Sequence, residues 1–137
     1  VLIECVKSAV HEFAKQLQCS TNQLVIGGRS MGGRMCTMAA SDEVDPLHVL
    51  GIACIGYPLH PPKKPDKLRT EHFGNLHSPL LFVSGTRDEF GTPDELELAW
   101  KLLPKQPTVQ MIEKGRHELR GADAQVADFV AQWLQNL

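Results

Sequence analysis

Apolar residues recur along the chain with a helical period in two long segments. In the first segment they step by three or four residues, as on one face of an amphipathic helix: Ile3, Val6, Val10, Phe13 and Leu17. The C-terminal segment shows the same spacing at Val126, Phe129, Val130, Trp133, Leu134 and Leu137. Small and helix-forming residues over 31–40 predict another helix, which makes three.

A fourth helix carries its own start and stop signals. Thr92 is typical of an N-cap, Pro93 suits the first helical position, and Glu95 completes a capping box with Thr92. Pro104 then predicts that this helix ends at about Leu103.

Four short and largely apolar runs predict buried strands, over 24–26, 50–56, 80–83 and 108–112. A loop at 58–79, which contains five prolines, separates the second run from the third. Largely apolar strands that alternate with helices indicate an α/β fold, with a mostly parallel sheet and helices on both faces.

Composition narrows the class of protein. Hydrophobic residues make up 42% of the 137 residues and charged residues 22%, which is the balance of a folded globular chain. The net charge of −2 predicts no broad basic surface for nucleic acid. The longest uncharged apolar stretch, 50–59, is far shorter than the roughly 20 residues that span a bilayer. We therefore expect neither nucleic acid nor a membrane as partner.

The four cysteines form no recognisable framework. They are widely spaced, without a CxxC pair or a Cys/His cluster of zinc spacing: Cys5, Cys19, Cys36 and Cys54. We expect reduced thiols, a cytoplasmic location, and neither a metal nor a cofactor.

The strongest local signal is the pentapeptide Gly28-Arg29-Ser30-Met31-Gly32, which fits G-x-S-x-G between a predicted strand and a predicted helix. A nucleophile needs such a sharp turn to be exposed, and we expect that a Cβ on either flanking glycine would collide. The N–H of Met31, at the start of the helix, is the expected oxyanion donor.

A phosphate-binding loop is the obvious rival reading of this turn. Gly28 and Gly33 have the G-x-x-x-x-G spacing, but Arg34 and Met35 follow where Lys and Ser or Thr are needed. No dinucleotide-binding G-x-G-x-x-G fits the turn either.

An acid and then a base follow Ser30, which is the order used by α/β hydrolases. Asp88 comes just after the third predicted strand and His117 just after the fourth. The carboxyl ends of parallel strands meet at one sheet edge, so we expect the three side chains to come together there. Glu89 and Asp94 are nearby rivals for the acid.

Four segments together resemble one family: GGRSMGGR at 27–34, GYPLHPP at 56–62, KLRTEH at 67–72 and GTRD at 85–88. The chain is similar to a predicted α/β-hydrolase family loosely called dienelactone-hydrolase-like, which includes a testis-expressed protein and a subunit of a chromatin-acetylation complex. The resemblance covers nearly the whole chain, and its most specific segment is 56–62.

The resemblance implies that Ser30, Asp88 and His117 are nucleophile, acid and base, with Met31 as one oxyanion donor. We also expect three residues to contact substrate: Arg29, Tyr57 and His60. His60 and His72 lie in the loop 58–79, where they either line a pocket or are solvated loop histidines.

Two features depart from the family pattern. The turn at 115–119 reads GRHEL where relatives commonly have Asp-His-Ser. The family fold usually has eight strands, whereas four are predicted here. We therefore expect residues 1–137 to form the C-terminal half of an α/β-hydrolase domain, with the early strands and a second oxyanion donor upstream of Val1.

The expected function is a serine hydrolase that cleaves a small-molecule ester, thioester or similar acyl bond through an acyl-enzyme. The alternative is an interaction or scaffold protein that keeps the hydrolase fold and has little turnover, as the chromatin-complex relative suggests. Fold alone does not decide between them.

Overall fold

The computed structural model describes all residues, 1–137, as four parallel strands and four helices. The strands are β1 (Val25–Arg29), β2 (Gly51–Ile55), β3 (Leu80–Gly85) and β4 (Thr108–Ile112). The helices are α1 (Leu2–Leu17), α2 (Met31–Ala40), α3 (Pro93–Trp100) and α4 (Asp123–Gln135). Every predicted element is present, in the predicted order, which confirms the α/β fold. None of the helices combines the length and the apolar character needed to cross a membrane.

The four strands form one sheet in the order β1-β2-β3-β4, and every neighbouring pair is parallel. In the middle of the sheet, Ile52 is paired with Ile26 on one side and Leu80 on the other. All four carboxyl ends therefore lie along one edge of the sheet, where side chains from loops far apart in sequence can meet.

The two faces of the sheet bury separate apolar clusters, because side chains alternate between faces along each strand. One cluster joins strand residues to α1, α2 and α3, and includes Ile52, Cys54, Phe82, Leu96 and Trp100. The other joins the sheet to α4, and includes Ala53, Leu81, Val83, Val126 and Trp133. Helices thus cover both faces, as the largely apolar strands predict.

The start of helix α2 approaches β1 closely through two glycines, Gly28 and Gly33. A Cβ added at Gly28 would lie 2.8 Å from the backbone carbon of Gly32, and one added at Gly33 would lie 2.8 Å from the carbonyl oxygen of Gly28. A Cβ at Gly32 would meet nothing within 4 Å. The expected collision is therefore confirmed at Gly28 and wrong at Gly32, since Gly33 makes the second close approach.

Helix α3 begins as predicted and ends earlier than predicted. Thr92 Oγ1 accepts a hydrogen bond from the Glu95 amide, which forms the capping box. The helix ends at Trp100. The next turns tighten to three-residue spacing, with the Leu103 amide donating to the Trp100 carbonyl at 3.1 Å. This tighter spacing replaces the last predicted helical turn before Pro104.

The segment that follows β4 turns back across the carboxyl edge of the sheet. We call residues 115–119 the crossing segment. A Cβ added at Gly85, at the end of β3, would overlap the carbonyl oxygen of Gly115. The Arg87 amide donates to that same oxygen at 2.8 Å, and the Thr86 amide donates to the Ile112 carbonyl at 3.0 Å. The crossing segment therefore rests directly on the end of β3.

We expect Gly85→Ala to destabilise the fold by roughly 1–3 kcal/mol, because the added methyl group must displace backbone. Gly32→Ala is the matched control, since its methyl group enters open space. Alanine is favoured over glycine in a helix by up to about 1 kcal/mol, so the control should keep or gain stability. Urea unfolding of both variants measures the two free energies, and equal stabilities would contradict the close approach.

Candidate active site

Ser30 occupies a strained turn between β1 and α2. Its backbone angles are φ 48° and ψ −120°, a region that residues with a Cβ rarely adopt. Such a conformation costs about 1–3 kcal/mol and persists only when its surroundings impose it. The Ser30 amide donates to the Ile55 carbonyl at 2.8 Å, and its own carbonyl accepts from the Arg34 amide in the first turn of α2.

His117 reaches Ser30 only because the crossing segment spans the sheet edge. Adjacent strands lie about 4.8 Å apart, so the ends of β1 and β4 are roughly 14 Å apart. Beyond Gly85, the crossing segment passes Gly56, which follows β2 and has φ 65°. A Cβ added at Gly56 would lie 3.0 Å from the His117 carbonyl oxygen and 3.7 Å from the ring carbon Cε1. Glycine therefore leaves room for the histidine at the end of β2.

The structure brings Ser30, His117 and Asp88 into one line of hydrogen bonds. Ser30 Oγ lies 2.8 Å from His117 Nε2, and His117 Nδ1 lies 3.0 Å from Asp88 Oδ2 and 3.1 Å from Oδ1. A carboxylate can only accept, so Nδ1 carries the proton in this bond. In the neutral ring Nε2 is then the acceptor, and the Ser30 hydroxyl donates to it.

Asp88 is the acid that reaches this line, and its two rivals do not. Its side chain is buried, with 1% exposed, and the Phe90 amide donates to Oδ1 at 2.8 Å. Glu89 is exposed, and Asp94 lies exposed in the first turn of α3. Burial and a fixed backbone donor hold the Asp88 carboxylate in one orientation toward the imidazole.

Met31 is the first residue of α2, where a helix amide has no acceptor within the helix. The positive end of the helix dipole lies at this amide and also stabilises negative charge. The Met31 side chain is 56% exposed beside Ser30. The sequence-based choice of Met31 as an anion donor is therefore compatible with its place in the fold.

Arg29 holds the crossing segment against β1. Its Nη1 donates to the Glu118 carbonyl at 2.8 Å, and Nη2 pairs with Asp123 Oδ1 at 3.0 Å. The residue next to Ser30 is thus bonded to the residue next to His117. In the structure the Arg29 guanidinium is bonded within the chain, and its substrate contact stays a prediction.

Tyr57, which is also predicted to contact substrate, lies enclosed within the fold. Tyr57 is 1% exposed, and its hydroxyl donates to the Arg69 carbonyl at 2.8 Å. Its ring packs edge-to-face on Phe73 and Phe82, with centroids 5.6 and 5.7 Å away. A side chain enclosed in this way belongs to the core beneath the loop 58–79.

His60 and His72 are likewise engaged within the fold. His60 is 3% exposed, and its ring nitrogens lie 2.8 Å from the Pro61 carbonyl and 3.0 Å from Glu95 Oε2. His72 Nε2 lies 2.9 Å from Thr37 Oγ1. Burial lowers the pKa of His72 to about 4, so this ring is neutral near pH 7. His72 also lines a surface cavity, and the lining of that cavity includes none of Ser30, Asp88 and His117. The substrate contact expected of His60 stays a prediction.

One residue of the site was missed by the sequence analysis. The Phe90 ring stacks on the His117 imidazole, with centroids 4.0 Å apart and planes at 29°. Its position two residues after Asp88 carries no motif, so no spacing rule could single it out. No three His, Cys, Asp or Glu side chains converge into a group suited to a metal ion.

A serine on a strained strand-to-helix turn, with an acid and a histidine on later loops of one parallel sheet, is the arrangement of the α/β hydrolases. The family model for the alpha/beta hydrolase domain matches residues 1–135. The chain therefore belongs to the α/β hydrolase domain family. This confirms the broader family expected from the sequence, and the dienelactone-hydrolase-like subgroup stays a prediction.

The fold is similar to those of solved esterases and lipases. Monoacylglycerol lipase from Paleococcus ferrophilus matches at a TM-score of 0.73 and 13% identity, over 96% of this chain and 74% of that chain. The esterase domain of a Rhodothermus marinus protein matches at 0.72 and 16%, over 98% and 68%. Thermogutta terrifontis esterase 2 matches at 0.73 and 15%, over 98% and 65%. At these identities the likeness is one of fold.

The ion pair between His60 and Glu95 depends on pH. Burial disfavours charge on His60, but the Pro61 carbonyl and Glu95 outweigh it and raise the pKa of His60 above its ordinary value. The Thr92 amide and His60 hold the pKa of Glu95 below its usual range. Glu95 therefore adds stability that is lost as the pH falls below about 4.3, its unfolded value. His60 adds stability below about pH 6.5, which is lost as the pH rises through its raised folded-state pKa.

We expect the pair to stabilise the fold most between about pH 5 and 6. A double-mutant cycle of His60→Gln and Glu95→Gln isolates the coupling free energy, and glutamine at 95 can still serve the capping box. Urea unfolding at about pH 5.5 should give a clear coupling that shrinks at about pH 9. A coupling of the same size at both pH values would contradict the charged pair.

Proposed function

We propose that this chain carries the catalytic side chains of a serine hydrolase, with Ser30 as nucleophile, His117 as general base and Asp88 as the acid that orients the base. The observation that carries the proposal is the unbroken line of hydrogen bonds from Ser30 Oγ through the imidazole to Asp88. A nucleophile bonded to a base that is itself held by a third group is the signature of nucleophilic catalysis.

In the first half of the reaction, Ser30 Oγ attacks the acyl carbonyl carbon while its proton passes to His117 Nε2. The imidazolium then donates that proton to the leaving alcohol or thiol, and an acyl ester remains on Ser30. In the second half, His117 takes a proton from water as the water attacks the acyl ester. The imidazolium then returns this proton to Ser30 Oγ as the carboxylic acid leaves, which restores the starting state. The atoms balance to hydrolysis of one acyl bond by one water.

Asp88 acts through His117. Its carboxylate holds the proton on Nδ1, which leaves Nε2 free to accept from Ser30. When the ring becomes charged, the buried carboxylate stabilises it more strongly than an exposed one would. The 1% exposure of the Asp88 side chain therefore supports this role.

The negative oxygen that forms during attack needs donors placed before the reaction begins. The Met31 amide stands beside Ser30 at the first position of α2 and supplies one of them. Removing a single such donor in other enzymes costs about 10²- to 10³-fold in rate. The strained Ser30 backbone supports the proposal, because it holds the nucleophile beside this amide.

The proposed substrate class is a small-molecule ester, thioester or similar acyl compound. The support is chemical, because a serine–histidine–aspartate line attacks an acyl carbon whichever group leaves. A monoacylglycerol lipase and an esterase have a similar fold. The names of these two proteins are consistent with an acyl substrate. The exposed Met31 side chain beside Ser30 offers an apolar contact for the acyl or leaving group.

A fluorophosphonate probe should label the full chain, and peptide mapping should place the label on Ser30. Ser30→Ala should abolish labelling, because the attacking oxygen is gone. Ser8→Ala is the matched control, since Ser8 is an exposed serine on α1 and should label like the wild type. Equal labelling of the Ser30 variant and the wild type would remove Ser30 as the nucleophile.

Asp88→Asn should keep the shape of the site and favour the wrong imidazole tautomer, because an amide can donate to Nδ1. We expect hydrolysis of p-nitrophenyl esters to fall by about 10³- to 10⁴-fold. Acyl chains of several lengths are compared on the folded wild type and the variant. No turnover of any ester by the folded wild type would favour the scaffold alternative instead.

A further inference from the structure

Phe90 is the one aromatic side chain that lies against the proposed base. Its ring centroid is 4.0 Å from that of His117, with the planes inclined by 29°. We infer that Phe90 is a positioning residue that holds the His117 imidazole in the plane shared with Ser30 and Asp88. This inference rests on the proposed function, since it assigns Phe90 a part in the same reaction.

The first argument is geometric. The bonds from His117 to Ser30 and Asp88 lie at the ring nitrogens and resist movement within the ring plane. They resist tilting out of that plane less well, because lone pairs tolerate a broad range of angles. A flat ring packed on one face blocks tilting toward that face by direct contact.

The second argument is electrostatic. His117 becomes an imidazolium after it takes the Ser30 proton, and the face of an aromatic ring attracts a cation. The neutral ring before attack gains less from the same contact. Phe90 therefore stabilises the charged state formed during the reaction more than the ground state, which is the requirement for a gain in rate.

Phe90 also fixes the acid. Its amide donates to Asp88 Oδ1 at 2.8 Å, in a turn that the aspartate side chain closes on its own backbone. The same residue thus contacts the base with its ring and the acid with its backbone. A shift of Phe90 would disturb the base and the acid together.

The loop 58–79 also contacts the backbone of Phe90. The His60 amide donates to the Phe90 carbonyl at 3.0 Å, and the His60 ring is pinned to Glu95 on α3. A Cβ added at Gly91 would lie 3.1 Å from the Leu59 Cβ, so this loop also packs closely beside Phe90. His60, expected to contact substrate, is therefore a brace for the residue that positions the base.

The test compares Phe90→Leu with Phe90→Tyr. Leucine keeps apolar bulk and removes the aromatic face, whereas tyrosine keeps the ring. Phe13→Leu is the matched control, because Phe13 lies exposed on α1. Two quantities are measured on folded full chain: the rate constant for fluorophosphonate labelling, and the proton shift of His117 Cε1–H. That resonance is assigned by its loss in His117→Gln.

We expect Phe90→Leu to label about 10-fold more slowly than the wild type. The Cε1–H resonance should move downfield as the ring current of Phe90 is lost. Phe90→Tyr should restore both the rate and the shift, and Phe13→Leu should change neither.

Two results would overturn the inference: labelling of Phe90→Leu at the wild-type rate, or equal slowing in the leucine and tyrosine variants with the His117 shift unmoved. Failure of the proposed function looks different, because the wild type itself would then resist labelling. In that case the ring-current shift still reports the contact between Phe90 and His117.

Discussion

The close approach of the crossing segment to the strand ends beneath it determines where His117 lies. Ser30 follows β1 and His117 follows β4, at opposite edges of the sheet. The chain can bridge that distance only by lying on the ends of β3 and β2, and a side chain on Gly85 would overlap the backbone above it. Gly56 leaves the same kind of space beside the histidine ring. The hydrogen bonds of the site therefore depend on close backbone contacts that only glycine allows at these two positions.

Much of the fold could be predicted from the sequence, because its local signals agree with one another. Largely apolar runs separated by amphipathic helices are consistent with a parallel sheet that helices cover on both faces. The end of α3 was predicted about three residues late, because periodicity does not reveal when a last turn tightens around a proline. The predicted collision of a Cβ at Gly32 was also wrong. The motif marks Gly28 and Gly32, but the close contact with Gly28 is made by Gly33.

The candidate site, like the fold, could be predicted only in part. Chain order and strand ends are enough to bring Ser30, Asp88 and His117 to one sheet edge, and the structure places them within hydrogen-bonding distance. Which side chains turn inward could not be predicted, because that depends on packing within the long loop. The burial of Tyr57 and its neighbours in the core could therefore be seen only in the structure. Phe90 contacts His117 and Asp88 without belonging to any motif, so its place beside them could be seen only in the structure.

The central claim is that Ser30 forms a covalent acyl intermediate with the help of His117. A stopped-flow experiment with p-nitrophenyl acetate measures this directly, combined with the intact mass of protein quenched during the first turnover. The account predicts a burst of p-nitrophenol that approaches one equivalent of enzyme, and an acetyl group on the peptide that contains Ser30. Product release without a burst, or an acetyl group on another residue while Ser30 stays unmodified, would contradict it.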